Sequence, residues 1–143
     1  MKRQIVIELV SFLFILLFVY AAMSKVSHFQ RFEVQVSQSP ILTNIAWPVA
    51  LGIPLVEIFI ALMLALPRFR LIALYASFSL MVIFTVYIIV IMNFSSYVPC
   101  SCGGILSSMS WGTHLVFNVF FVALAVVGVL LQERKEGMRA LAS

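Results

Sequence analysis

The sequence predicts an all-α integral membrane protein: a bundle of four transmembrane helices, with an interfacial helix on its outer surface between spans one and two. Composition is the first reason. The 143 residues are 64% hydrophobic and 10% charged, with a mean hydropathy of +1.16, against roughly 25% charge in soluble domains. The second is length. Four apolar stretches, at 5–24, 42–66, 71–92 and 112–131, each meet the requirement of about 20 residues for crossing a bilayer. No Gly/Ser-rich linker parts them, so a single domain over 1–143 is expected.

The first span follows Lys2 and Arg3 and ends near the small residues Ala21 and Ala22, a pattern that imitates a secretory signal. Three later spans favour a retained helix. Residues 25–40 mix polar and apolar positions too closely to cross a membrane, but Val26, Phe29, Phe32 and Val36 recur at three- and four-residue spacing. That periodicity predicts a helix lying on the outer leaflet and roofing the bundle, ended by Pro40. Trp47-Pro48 falls near the outer end of span two, where Trp favours the interface. Pro54 is tolerated inside that span if neighbouring groups satisfy the carbonyl it frees. A short turn around Arg68 leads to span three, and Trp111, Tyr97 and Tyr20 mark outer membrane levels. Thirteen Phe and seven Met supply adaptable filling rather than a cofactor box.

Orientation follows from Lys and Arg. With the N-terminus inside, Lys2, Arg3, Arg68, Arg70, Arg134, Lys135 and Arg139 are cytoplasmic, against Lys25 and Arg31 outside. Both termini are then cytoplasmic, and the 93–111 loop faces the periplasmic or extracellular side of a bacterial inner (cytoplasmic) membrane. The net charge of +4 resides mainly on the inner residues, so it gives little support for nucleic-acid binding.

That outer loop holds both cysteines, in Cys100-Ser101-Cys102-Gly103-Gly104. A bond between cysteines one residue apart requires a bent backbone and should be strained, which makes it a better oxidant and easier to break. Closing so short a loop stabilises little, so the pair suits exchange better than stapling. In exchange, one sulfur attacks or is attacked as a thiolate while its neighbour resolves the mixed disulfide. Cys100, after Pro99, is the expected first contact with a partner; Cys102, backed by Gly103 and Gly104, is placed to gain from turn amides. Two other readings stand beside this one. The cysteines are free or incidentally oxidised, or they bind a metal with His114, which leaves the fourth ligand unassigned.

Several polar residues fall within the spans. His114 and Asn118 are four apart on one face of span four. His114 stands near enough to the cysteine loop to stabilise a thiolate, relay a proton or hydrogen-bond a quinone oxygen; helix packing is its plainer role. Asn118 serves either a ligand or interhelical contacts. Glu57 lies about ten residues, roughly 15 Å, into span two, where an unpaired carboxylate is costly. Lys25 is its natural partner, and the tie is either structural or part of a proton path or cofactor site. Glu8, near the inner face, can turn toward headgroups. Thr85 and Tyr87 offer hydroxyls to the same interior, although Tyr87 serves equally as packing.

Taken in order, Ala22-Met23-Ser24-Lys25, Pro54-Leu55-Val56-Glu57, Phe84-Thr85-Val86-Tyr87, Pro99-Cys100-Ser101-Cys102-Gly103-Gly104, then Trp111, His114 and Asn118 give a chain that resembles the DoxX-like superfamily. Within it, the resemblance is to the small redox-associated membrane proteins similar to MauE of methylamine utilisation. It covers most of the chain. It implies a role in forming or maintaining disulfides in exported proteins, MauE being needed for maturation of a disulfide-rich amine dehydrogenase subunit. The wider four-helix membrane thiol oxidoreductases that pass electrons to quinone have a two-residue spacer between active cysteines. Here the spacer is one residue and there is a single pair. Either that pair meets quinone directly or a thioredoxin-like or other cysteine-containing extracytoplasmic partner supplies the rest.

The leading expectation is therefore a membrane thiol–disulfide exchange protein, a thiol–disulfide oxidoreductase with Cys100, Cys102 and His114 as reacting groups. Glu57, Lys25, Asn118 and Tyr87 shape a cofactor site, with quinone as the cofactor. A non-catalytic subunit or scaffold of a larger complex is the alternative, with the cysteine loop as a docking turn. A transporter comes third, since four spans with few buried charges offer a thin solute path.

Overall fold

The computed structural model describes residues 2–37, 43–94 and 111–142. Expectations for Pro40, Tyr97, Pro99, Cys100, Cys102, Gly103 and Gly104 fall outside the described residues, as do those for the side chains of Arg31, Phe32, Val36 and Trp111. The described chain forms α1 (Lys2–Ser27), α2 (Phe29–Ser37), α3 (Ala46–Ala65), α4 (Arg70–Phe94) and α5 (Trp111–Ala142), with 3-10 turns at Thr43–Ile45 and Pro67–Phe69. Four helices are long and apolar enough to span a membrane. In lipid every backbone N–H and C=O must be satisfied within the helix, which is why these stretches are continuously helical.

Boundaries differ from the apolar stretches for identifiable reasons. α5 continues well past Leu131 because Gln132, Glu133, Arg134, Lys135 and Glu136 are good helix formers, and Gln132 Nε2 donates to Glu136 Oε1 one turn on at 3.0 Å. Apolar length marks the membrane, whereas the helix ends where propensity does. α3 stops at Ala65 because Pro67 disfavours helical geometry in the residue before it. The link between spans two and three is itself a short helical turn, Pro67–Phe69. Val26 belongs to α1 and is exposed, so it is not the first apolar position of α2.

α1 packs chiefly on α3 and α4 chiefly on α5, while α3–α4 and α1–α5 contacts close the bundle. α2 rests on α3, with Phe29 against Ala46 and Ala50. The core runs through Val10, Phe14, Phe18, Ile60, Leu64, Leu74, Met81, Phe121 and Ala125. Phe14 meets Phe121 edge-on, with centroids 5.3 Å apart and planes at 78°, a favourable arrangement of the ring quadrupoles. Ile5, Leu9, Phe12 and Leu16 on the other face of α1 are exposed, as a lipid-facing surface requires.

Apolar burial alone gives helices little reason to associate in lipid, so close packing at small residues matters. Gly128 is the tightest such place. A Cβ there would stand 3.1 Å from Val10 Cγ1 and 3.2 Å from Leu74 Cδ2. Gly128→Leu is expected to destabilise the bundle by about 1–3 kcal/mol through overpacking, seen as a lower thermal midpoint by circular dichroism in detergent. Gly128→Ala, whose methyl meets only the ends of flexible side chains, should cost less. Equal midpoints for Gly128→Leu and the parent would mean that α5 does not approach α1 and α4 this closely.

Candidate functional site

Helical spacing brings four polar side chains to one interior place. On α1 the buried positions Phe14, Phe18, Ala21, Ala22 and Lys25 follow one face, so the stripe that builds the core ends in a lysine. On α3 the buried face runs Ala46, Ala50, Pro54, Glu57, Ile60, Ala61 and Leu64, which turns the carboxylate inward. His114 and Asn118 share the inner face of α5. Lys25, Glu57, His114 and Asn118 are each 4% exposed or less.

Lys25 Nζ and Glu57 Oε1 form an ion pair at 2.8 Å, the partnership expected from the depth of Glu57. The ammonium also lies 5.8 Å from the centre of the Phe84 ring on α4, a cation–π distance. Phe84 and Met81 complete a small cavity with Leu17, Phe18, Ala21 and Phe117, into which Lys25, Glu57, His114 and Asn118 also project. All four spans thus contribute to its wall. Among the described residues, Glu57 Oε2 and Asn118 Nδ2 have no hydrogen-bond partner. One is an acceptor and the other a donor, so a polar guest that accepts from Asn118 and donates to Glu57 would satisfy both.

The cavity measures about 20 Å³, room for about one water molecule. Pockets that enclose a cofactor-sized ligand run to about 300–1,000 Å³. The polar groups of this cavity are of the right type to bond a quinone carbonyl. Chemically the cluster can hold a charge pair away from water and pass a proton between carboxylate, imidazole and a single water.

Not every expected residue joins. Thr85 donates its hydroxyl to the Met81 carbonyl at 2.7 Å within α4, so it is engaged on its own helix. Tyr87 is half-buried and does not line the cavity. Cys100 and Cys102 lie in the connection from α4 to α5, outside the described residues. Among the described residues no three His, Cys, Asp or Glu side chains are grouped to hold a metal.

The sequence reading did not anticipate a second polar network at the opposite end. Gln4 Nε2 donates to Glu8 Oε1 at 2.6 Å, Lys135 donates to Gln4 Oε1, and Tyr75 donates to Glu133 Oε1. Gln4–Glu8 and Gln132–Glu136, each four apart, were legible signals for its local parts. The long-range partners were not. The Lys135–Gln4 contact brings the start of α1 and the polar extension of α5 to the same end of the bundle.

Residues 3–131, which include all of the apolar spans and the cysteine motif, match the family of the methylamine utilisation protein MauE. The chain belongs to this family. It is accordingly a multi-pass membrane protein of the DoxX-like, redox-associated group. The match ends at Leu131, so the polar extension of α5 lies beyond the family's shared region. Neither a curated protein nor a solved structure gives a significant match to the chain.

Proposed function

We propose that this member of the MauE family is a membrane thiol–disulfide exchange protein that supports disulfide formation or redox maintenance in exported proteins through Cys100 and Cys102. The observation that carries the reading is where the cysteine motif enters the fold. The segment bearing it leaves α4 at Phe94 and returns at Trp111. His114 follows within a turn of that return, beside the buried Lys25–Glu57 pair. The segment that carries the single cysteine pair of the chain therefore joins α5 a few residues before His114.

The exchange is self-balancing. A thiolate of a partner dithiol attacks Sγ of Cys100 in the oxidised pair, the Cys100–Cys102 bond breaks, and Cys102 leaves as a thiolate that takes up a proton. The partner's second thiolate attacks the mixed disulfide, releasing Cys100. Two electrons and two protons have passed from the partner to the cysteines, and the partner holds the new disulfide. The reverse sequence reduces a partner. His114 is suited to the proton step, because a neutral imidazole can accept at one nitrogen and donate at the other. Lys25, Glu57 and Asn118 keep its surroundings polar and fixed. No quinone inside the bundle is needed for this balance.

In this reading the termini are cytoplasmic and the cysteine segment faces the outside of the bacterial inner membrane, where disulfides persist. α2 lies along the outer leaflet, and the partner is an extracytoplasmic thioredoxin-like or cysteine-containing protein. The test is the reduction potential of Cys100–Cys102 in nanodiscs, measured with and without added quinone. A potential well above about −300 mV is expected for an exchanging pair. A lower value would mark a resistant structural bond, and oxidation of the reduced pair by added quinone, with quinol as the product, would add a direct quinone route.

A further inference from the structure

We propose that the groove beside the two termini binds the phosphate of an anionic phospholipid headgroup, held by Lys2, Arg3 and Lys135. The inference does not rest on the thiol chemistry. It starts from a cavity of about 490 Å³ lined by Lys2, Arg3, Gln4, Lys135 and Met138. Its volume falls in the range of ligand sites, and among the described residues its lining carries three cations and no carboxylate.

The neighbouring groups leave that charge largely uncancelled. Arg3 Nη1 sits 3.7 Å from Met138 Sδ, and a thioether is a weak acceptor that neutralises nothing. Lys135 donates to the neutral amide of Gln4. The carboxylates close enough to act on Lys135 are Glu8 and Glu136, and the further cations are Arg70 and Arg139. Glu8 and Glu136 keep their charge while accepting from the amides of Gln4 and Gln132, but neither is among the described residues that line the groove, so they offset Lys135 from outside it. α1 begins at Lys2 with no acidic residue in its first turn, which leaves the positive end of its dipole facing the same groove.

Depth selects the ligand. Lys2 and Arg3 immediately precede the apolar stretch that starts at Ile5, and Lys135 lies one turn beyond its counterpart's end at Leu131. The groove therefore stands where bilayer phosphates lie. Clustered Lys and Arg at that level attract anionic lipid, and a guanidinium beside an ammonium provides both a fork and a point charge for phosphate oxygens.

The full chain is purified into detergent, offered equal amounts of phosphatidylglycerol and phosphatidylcholine, and its retained lipids are counted by native mass spectrometry. Preferential retention of phosphatidylglycerol is expected, with Arg3→Gln and Lys135→Gln each lowering the preference about fivefold and Lys135→Arg preserving it. Arg68→Gln, which removes a cation outside the groove, should leave it unchanged. Equal loss in Arg68→Gln would mean diffuse surface attraction and overturn the site. Inorganic phosphate is the second arm: saturable binding that matches the lipid and displaces it would overturn the lipid assignment in favour of a free phosphate ligand. Lys2→Gln, at the exposed start of α1, serves if Lys135→Gln fails to fold. Retention that ignores headgroup charge sinks the proposal outright.

Discussion

Lys25→Met is expected to destabilise the bundle by about 3–5 kcal/mol, because it strands the Glu57 carboxylate in an apolar interior. Glu57 is 1% exposed and its Oε1 has the Lys25 ammonium at 2.8 Å. Its other oxygen has no hydrogen-bond partner among the described residues that would share the cost. Without Lys25 the carboxylate must take up a proton or draw in water. Glu57→Leu should also destabilise, since the buried Lys25 ammonium loses its carboxylate at 2.8 Å. The double variant Lys25→Met/Glu57→Leu should recover most of the loss, as removing both charges also removes the desolvation they carry. Thermal unfolding of the four proteins in nanodiscs gives the coupling between the two side chains. A double variant no more stable than the worse single would show that the pair is not the source of the effect. The same proteins separate structure from chemistry. If the ion pair serves exchange, the double variant regains stability and not activity.

Cys100→Ser and Cys102→Ser are each expected to reduce oxidation of a partner dithiol to background while leaving the bundle intact. Exchange needs both sulfurs, one to form the mixed disulfide and one to resolve it. Stability should change by less than about 1 kcal/mol, because a bond closing so short a loop constrains the unfolded chain little. Offered the partner in its disulfide form, Cys102→Ser should also accumulate a mixed disulfide, because the Cys100 thiolate attacks the partner's S–S bond and releases one partner thiol; the product is visible as a reducible mass shift on non-reducing gels. The opposite pattern would identify a scaffold: full activity in both cysteine variants, with loss when Phe29, which packs on Ala46 and Ala50, is replaced by Ala. Failure of both single variants to trap a partner would argue against exchange as well.

Much of the site was legible because membrane burial makes polar residues conspicuous. A glutamate about ten residues into an apolar span needs a cation, and Lys25, where span one ends, is the candidate that composition offers. The structure pairs them. His114 and Asn118 were readable as one helical face by their spacing, and both line the same cavity as the ion pair. Tyr87 was not decidable in this way. Whether a half-polar ring on α4 points to the interior depends on the rotation of that helix, which Met81 and Phe84 fix by packing where Tyr87 does not. Nor was the size of the cavity readable. It depends on how closely Leu17, Phe18 and Phe117 approach one another.

The sequence by itself determined that the chain crosses a membrane four times, since apolar length against bilayer thickness is a property of local composition. It also determined the family, through motifs carried in order along 3–131. Only the tertiary structure decided how the helices meet. The join of Lys135 to Gln4 across 131 positions, the terminal groove, and the tight passage at Gly128 all depend on the relative rotation and register of α1, α4 and α5. That register comes from the shape of contacting side chains, because lipid is as apolar as the helix faces and supplies no directional preference of its own.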